Sequence, residues 1–216
     1  MGTGRGVAVV AGCSGTVARA IVSRLQAEQF LVAGLDGEQP AGDLALRVDL
    51  TDRADTVNAV LRVTNELGPI TVLVTAPSLH DAAPFGEMSR DRWLRLLSAH
   101  LGLTTSACAA VVPGMARAGT GTVITLSSWL ALAGIPGESY QASATGSILA
   151  FTKSFALEVA RRGVRVNCIA VGPLEPGPGA AVPIQPSDVA ATVMFLIDDG
   201  GFFVGQVLTP AGGAVL

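Results

Sequence analysis

Three groups of residues in this 216-residue chain have types and spacings suited to chemistry. The first is Gly12-Cys13-Ser14-Gly15-Thr16-Val17-Ala18, which joins an all-apolar run, Val7–Ala11, to a helical pattern through Leu25. Small residues at a strand-to-helix turn let the backbone approach a phosphate, and the helix start offers free N–H groups and the positive end of its dipole. A tight turn that binds nothing uses the same residues. The second is Asp36, which closes the next apolar run at the distance where a dinucleotide fold holds ribose hydroxyls. A solvated Asp-Gly turn is the alternative. The third is Ser127 and Ser128 at the end of Val123–Leu126, followed by Tyr140, the only tyrosine, with His100 upstream. An imidazole can relay protons near neutral pH, although a lone helix histidine is also a common structural side chain. Cys13, at a helix start, reads as a small buried thiol, and His80, Asp81 and Glu87 lack the spacing of metal ligands.

These groups need positioning elements, and the pattern supplies them in alternation. Strands are expected at Val7–Ala11, Phe30–Leu35, Leu44–Leu50, Ile70–Val74, Thr122–Leu126, Val164–Val171 and Val204–Thr209. Helical spacing fills the gaps. One helix begins after Thr51 as N-cap; a long one runs from Ser89 to Ala118, with bends near Gly102 and Pro113; another opens at Tyr140 and stops at Arg161–Gly163; the last follows Pro186. This alternation implies an α/β fold: one domain over residues 1–216, Rossmann-like, with a doubly wound parallel sheet of about seven strands in the order 3-2-1-4-5-6-7. Gly172–Pro186 reads as a Pro/Gly-rich loop.

The segment Thr122–Arg161 resembles the catalytic segment of the short-chain dehydrogenases/reductases. In that family a strand ends at a serine, a tyrosine opens a helix about a dozen residues later, and a lysine follows four positions on. Val48-Asp49-Leu50, Phe151–Glu158, Val164–Ala170, Pro186–Ala190 and Val204–Leu208 with Gly212-Gly213 are similar to further family segments, so the resemblance spans nearly the whole chain. It implies a nucleotide held by Gly12, Ser14, Gly15, Thr16, Val17, Asp36, Asp49, Leu50, Ala76 and Gly172. It implies NAD in preference to NADP, because no arginine replaces Asp36. It also implies catalysis by Tyr140 as acid/base, Ser128 as substrate-orienting hydroxyl and His100 at a proton-relay position. Ser127 keeps the family's usual spacing of 13 to Tyr140, and Ser128 sits closer to the expected strand end.

The chain departs from the family at the positions that carry chemistry. Thr16 and Ala18 replace glycines, Thr75-Ala76-Pro77-Ser78 replaces an Asn-Asn-Ala-Gly stretch, His100 replaces an asparagine, Ala144 stands at the lysine position and Val171 replaces a proline. A phenol ionises near pH 10 unless a cation assists it, and the only lysine, Lys153, lies roughly 20 Å along the helix. The expectation is therefore weak or absent NAD binding and a catalytically silent or impaired oxidoreductase-like subunit. The alternatives are a divergent NAD-dependent oxidoreductase on a small carbonyl or alcohol, and a non-redox enzyme reusing the Ser/Tyr pair.

Composition narrows the partners. Half the residues are hydrophobic, 14% are charged and the net charge is −3, without a basic cluster, which argues against nucleic acid and anionic membranes. Each apolar run is interrupted before bilayer-spanning length. Three unspaced cysteines suit a reducing cytoplasm. The lightly charged helices around Tyr140 and Leu101–Val112 are expected to be covered in a homo-oligomer, or in a hetero-oligomer with a related chain.

Overall fold

The computed structural model describes residues 4–176 and 182–214. Seven strands form one sheet: β1 Val7–Ala11, β2 Leu31–Asp36, β3 Leu44–Arg47, β4 Ile70–Thr75, β5 Gly121–Ser128, β6 Val164–Val171 and β7 Val207–Leu208. Every pairing is parallel, in the order β3-β2-β1-β4-β5-β6-β7, as the sequence predicts.

The all-apolar strand runs follow from burial on both faces. On β1, Val7, Val9 and Ala11 pack toward α2 (Arg53–Leu67), α4 (Leu103–Ala118) and α5 (Ser139–Val159). Ala8 and Val10 face the opposite layer, made by α1 (Thr16–Ala27) and α6 (Pro186–Asp198). Valine and alanine at two-residue spacing thus feed two cores from one strand. The strand order reverses between β2 and β4 around β1, and the carboxyl ends of the strands open there into a crevice.

Several expected boundaries shift. β3 ends at Arg47, so Asp49 and Leu50 lie in the following loop and not on the strand. The N-cap of α2 is Asp52 and not Thr51: the Asp52 carboxylate accepts from the amides of Ala54 and Asp55, satisfying two orphan donors. β7 is cut to Val207–Leu208. The long helix after its Ser89 N-cap is α3 (Arg90–Leu97), a π-helical turn (Ser98–Gly102) and α4. A π turn adds a residue to the helical repeat and re-aims the side chains on it, here His100. The combined run Arg90–Ala118 is, by length and composition, apolar enough to cross a bilayer, contrary to the sequence expectation. Its apolar side chains Leu103, Ala107, Cys108, Val111, Val112 and Met115 are buried against the sheet. Part of the loop expected at Gly172–Pro186, residues 177–181, lies outside the described residues.

Close backbone crossings fix where the crevice opens. A Cβ on Gly34 would fall 1.7 Å from the Ala41 carbonyl oxygen, because the loop before β3 crosses directly over β2. Gly34→Ala is expected to destabilise the protein by about 2 kcal/mol or more through this overlap. Urea denaturation that shows an unchanged midpoint would contradict this packing account.

Candidate functional site

The crevice holds two adjoining cavities that share the wall Pro77–His80. The outer one, about 850 Å³, lies beside β2 and the loop after β3. Gly12 lines it with φ +85°, and a Cβ there would sit 2.7 Å from the Ala76 carbonyl oxygen, so only glycine fits. Asp36 is buried at the strand end. Its Oδ2 accepts from the Ser14 amide at 2.9 Å and its Oδ1 from the Glu38 amide at 2.8 Å. These bonds hold the carboxylate at the cavity wall. Asp49 lines the same cavity and accepts from the Thr51 hydroxyl at 2.6 Å and the Thr51 amide at 2.9 Å. The hydroxyl bond is the chief reason its carboxyl ionises below the ordinary range. Leu50 is buried beneath, and Arg47 lies on the same wall, donating to the Gly37 carbonyl at 2.8 Å.

The inner cavity, about 750 Å³, begins at Gly15, Thr16 and Val17. Gly15 is the N-cap of α1, and no side chain caps that helix start. Ala76 and Gly172 line the cavity from the ends of β4 and β6. Its far wall carries Ser127, Ser128, His100, Gln141 and Thr145. Ser128 accepts from the Leu130 amide at 3.2 Å, capping a 3₁₀ turn over Trp129–Ala131, while Ser127 donates to the Thr145 carbonyl at 2.8 Å.

Tyr140 is not among the residues lining either cavity, which corrects the expectation that it faces the reaction centre. Its ring stacks on Phe85 at 5.7 Å and tilts against Trp93 at 5.5 Å, on the outer side of α5. The reason is helix phase. The buried stripe of α5 is Gln141, Ala144, Thr145, Ile148, Thr152, Ala156 and Val159. Neighbouring positions on a helix point about 100° apart, so Tyr140 turns away where Gln141 turns in. Gln141 lies 13 positions after Ser128, and Thr145 four beyond it. These are the separations of the family's serine, tyrosine and lysine, occupied here by Ser128, Gln141 and Thr145. The buried stripe ahead of Ile148 runs through 145, 144 and 141 and leaves out 140. The prominent Tyr-x-x-x pattern concealed that signal.

Gln141 and His100 are both occupied in holding one segment. The Leu79 carbonyl lies 2.7 Å from His100 Nε2 and 3.3 Å from Gln141 Nε2, and Gln141 Oε1 accepts from the Asp81 amide at 3.3 Å. Those contacts assign the neutral tautomer with its proton on Nε2, so the 3.3 Å approach of the two side-chain nitrogens is that of two donors sharing one carbonyl. His80 pairs with Glu138 at 3.2 Å and Arg92 forks onto Asp81, fastening the same segment from outside. His100 Nδ1 is left buried and without a partner, alone in this among side-chain atoms of the described residues. Thr145 donates to the Gln141 carbonyl at 2.8 Å, within its own helix.

Burial pushes the His100 pKa below its ordinary value, only partly opposed by the Leu79 carbonyl. The folded imidazole therefore refuses a proton that the unfolded one accepts. Stability on this account is complete above about pH 6.5 and falls as the pH drops below it. Thermal unfolding between pH 8 and 5 should show that decline, and His100→Gln should flatten it. An identical slope in the variant would assign the decline to other groups.

Residues 6–182 match the short chain dehydrogenase family profile. Among curated proteins, the chain is 30% identical over 194 residues to a 3-oxoacyl-[acyl-carrier-protein] reductase FabG of Chlamydia trachomatis, covering 82% of this chain and 78% of that one. It is 28% identical over 234 residues to an acetoacetyl-CoA reductase of Rhizobium meliloti, covering 96% and 97%. A FabG reductase of Thermotoga maritima is 27% identical over 186 residues, covering 78% and 76%. With the parallel sheet, the crevice at its switch point and this match over most of its length, the chain belongs to the short-chain dehydrogenase family.

Proposed function

We propose that this chain is a family member silent in hydride transfer, retaining the nucleotide side of the cleft and acting as a subunit of a homo-oligomer or a hetero-oligomer. One observation carries the reading: Gln141 and Thr145 occupy the tyrosine and lysine separations in the inner cavity, and Tyr140 stacks outside it. A carboxamide neither releases nor takes up a proton near neutral pH, so it cannot serve as the acid/base that carbonyl reduction needs. A threonine hydroxyl carries no charge to stabilise a neighbouring anion. His100 offers no substitute, because its Nε2 proton is bound to the Leu79 carbonyl.

The outer cavity fits the adenosine part of NAD. Gly12 keeps open a cradle that a Cβ would fill, and Asp36 offers carboxylate oxygens to ribose hydroxyls while disfavouring a 2′-phosphate. Gly15, Thr16 and Val17 would hold the phosphates at the start of α1. NAD would supply a hydride acceptor when oxidised and a hydride donor when reduced; the residues of the inner cavity offer no acid/base group to take up or give the accompanying proton. The subunit role is supported by apolar side chains that α5 leaves uncovered: Leu157, 75% exposed, and the half-buried stacked rings of Phe151 and Phe155.

A second reading is favoured by Ser128, whose oxygen accepts from the Leu130 amide while its own proton stays available to polarise a carbonyl. That reading is a non-redox enzyme, with Ser128 as its hydrogen-bond donor.

The test is turnover of acetoacetyl and longer 3-oxoacyl thioesters with NADH and NADPH from pH 7 to 10. No oxidation of either nucleotide above background is expected, and Tyr140→Phe should change nothing. Robust turnover by the unmodified protein would reject the silent reading in favour of a divergent NAD-dependent oxidoreductase. Substrate consumed without nucleotide, and lost in Ser128→Ala, would favour the non-redox enzyme.

A further inference from the structure

We infer that the cleft recognises the ADP-ribose portion of a nucleotide and is indifferent to the redox state of the group on the distal ribose. The inference rests on the proposed function for the silence of the inner cavity, and extends it to a ligand class and a selectivity.

The two halves of the cleft differ in what they leave free. In the outer half, Asp36 is fixed by two backbone amides and borders the cavity, and the adjacent start of α1 has no side-chain cap. These groups suit ribose hydroxyls and a diphosphate, the parts common to NAD⁺, NADH and ADP-ribose.

In the inner half the polar side chains are turned onto the protein itself. Ser127 donates to the Thr145 carbonyl, Thr145 to the Gln141 carbonyl, and Gln141 and His100 to the Leu79 carbonyl. Ser128, Thr16, Ser78 and Trp129 keep protons to donate, and such neutral groups carry no charge with which to tell a pyridinium from a dihydropyridine. That distinction is one unit of charge. Among the described residues, the ionisable side chains bordering this cavity besides His100 are His80 and Glu175. Both are exposed at its rim, and His80 is already paired with Glu138. Exposed charges interact weakly through water, so neither separates the oxidised from the reduced ring. Among the described residues, no lysine or arginine lines this cavity.

The experiment is calorimetric titration of the full chain at pH 7.5 with NAD⁺, NADH and ADP-ribose. The three dissociation constants should agree within fivefold. A dinucleotide binding more than fivefold tighter than ADP-ribose, a larger gap between NAD⁺ and NADH, or no binding of any of the three at millimolar concentration would overturn the inference. Gln141→Tyr with Thr145→Lys should move NAD⁺ or NADH more than fivefold ahead of ADP-ribose. A folded double variant that still binds all three alike would show that discrimination does not arise at these positions. If the double variant does not fold, the comparison on the unmodified protein decides by itself. Turnover by the unmodified protein would reject the proposed function without altering these constants, so the two failures are distinguishable.

Discussion

A parallel sheet buried on both faces leaves little choice about where polar chemistry can occur. Val9, Val10, Leu35, Leu73, Ile124 and Ile169 are all fully covered, and their backbone groups are used by neighbouring strands. Polar groups within the sheet are paired, as the Thr125 hydroxyl is with Thr152, and those left free for a ligand gather where strands end. Asp36, Ser127, Ser128 and Gly172 all stand within one residue of a strand's carboxyl terminus, and Ala76 immediately follows another. The cleft exists because the strand order reverses at β1, which separates the helices covering the two faces and leaves their starts facing a common space.

The same burial governs what was legible in the sequence. Strand order, the Gly12 turn and the place of Asp36 could be read because each rests on a local pattern: an apolar run, a small residue at a turn, an acid at a strand end. Strand and cap boundaries were less legible. Asp52 and Thr51 are both plausible caps, and only the amide geometry at Ala54 and Asp55 selects between them. The inner site was the least legible. Tyr140 and Gln141 are neighbours, and a residue-type pattern prefers the tyrosine. The phase of a 21-residue helix is set by Ile148, Thr152, Ala156 and Val159, which pack on the sheet well beyond the motif. Position within a packed stripe decided the matter, and that is a property of the whole helix.

The tie at Leu79 also could not be read from spacing. It joins residues 79, 100 and 141, from a loop, a π-helical turn and a third helix. A carbonyl accepting from two side chains satisfies both lone pairs and leaves Gln141 Oε1 for the Asp81 amide. Each member has its partner except His100 Nδ1, and buried networks of this kind restrict a segment to one conformation. The wall between the two cavities is therefore a fixed part of the fold.

That tie bears on what a change at position 141 would cost. A tyrosine there has no amide with which to meet both the Leu79 carbonyl and the Asp81 amide, so it would withdraw support from this segment of backbone. With threonine and not a cation at position 145, the new phenol would also lack a charged partner. The neighbouring tyrosine, held in its aromatic stack one position away, cannot enter the cavity without rephasing the helix. The arrangement behaves as a latch, in which one carboxamide holds two backbone groups of the same loop at once.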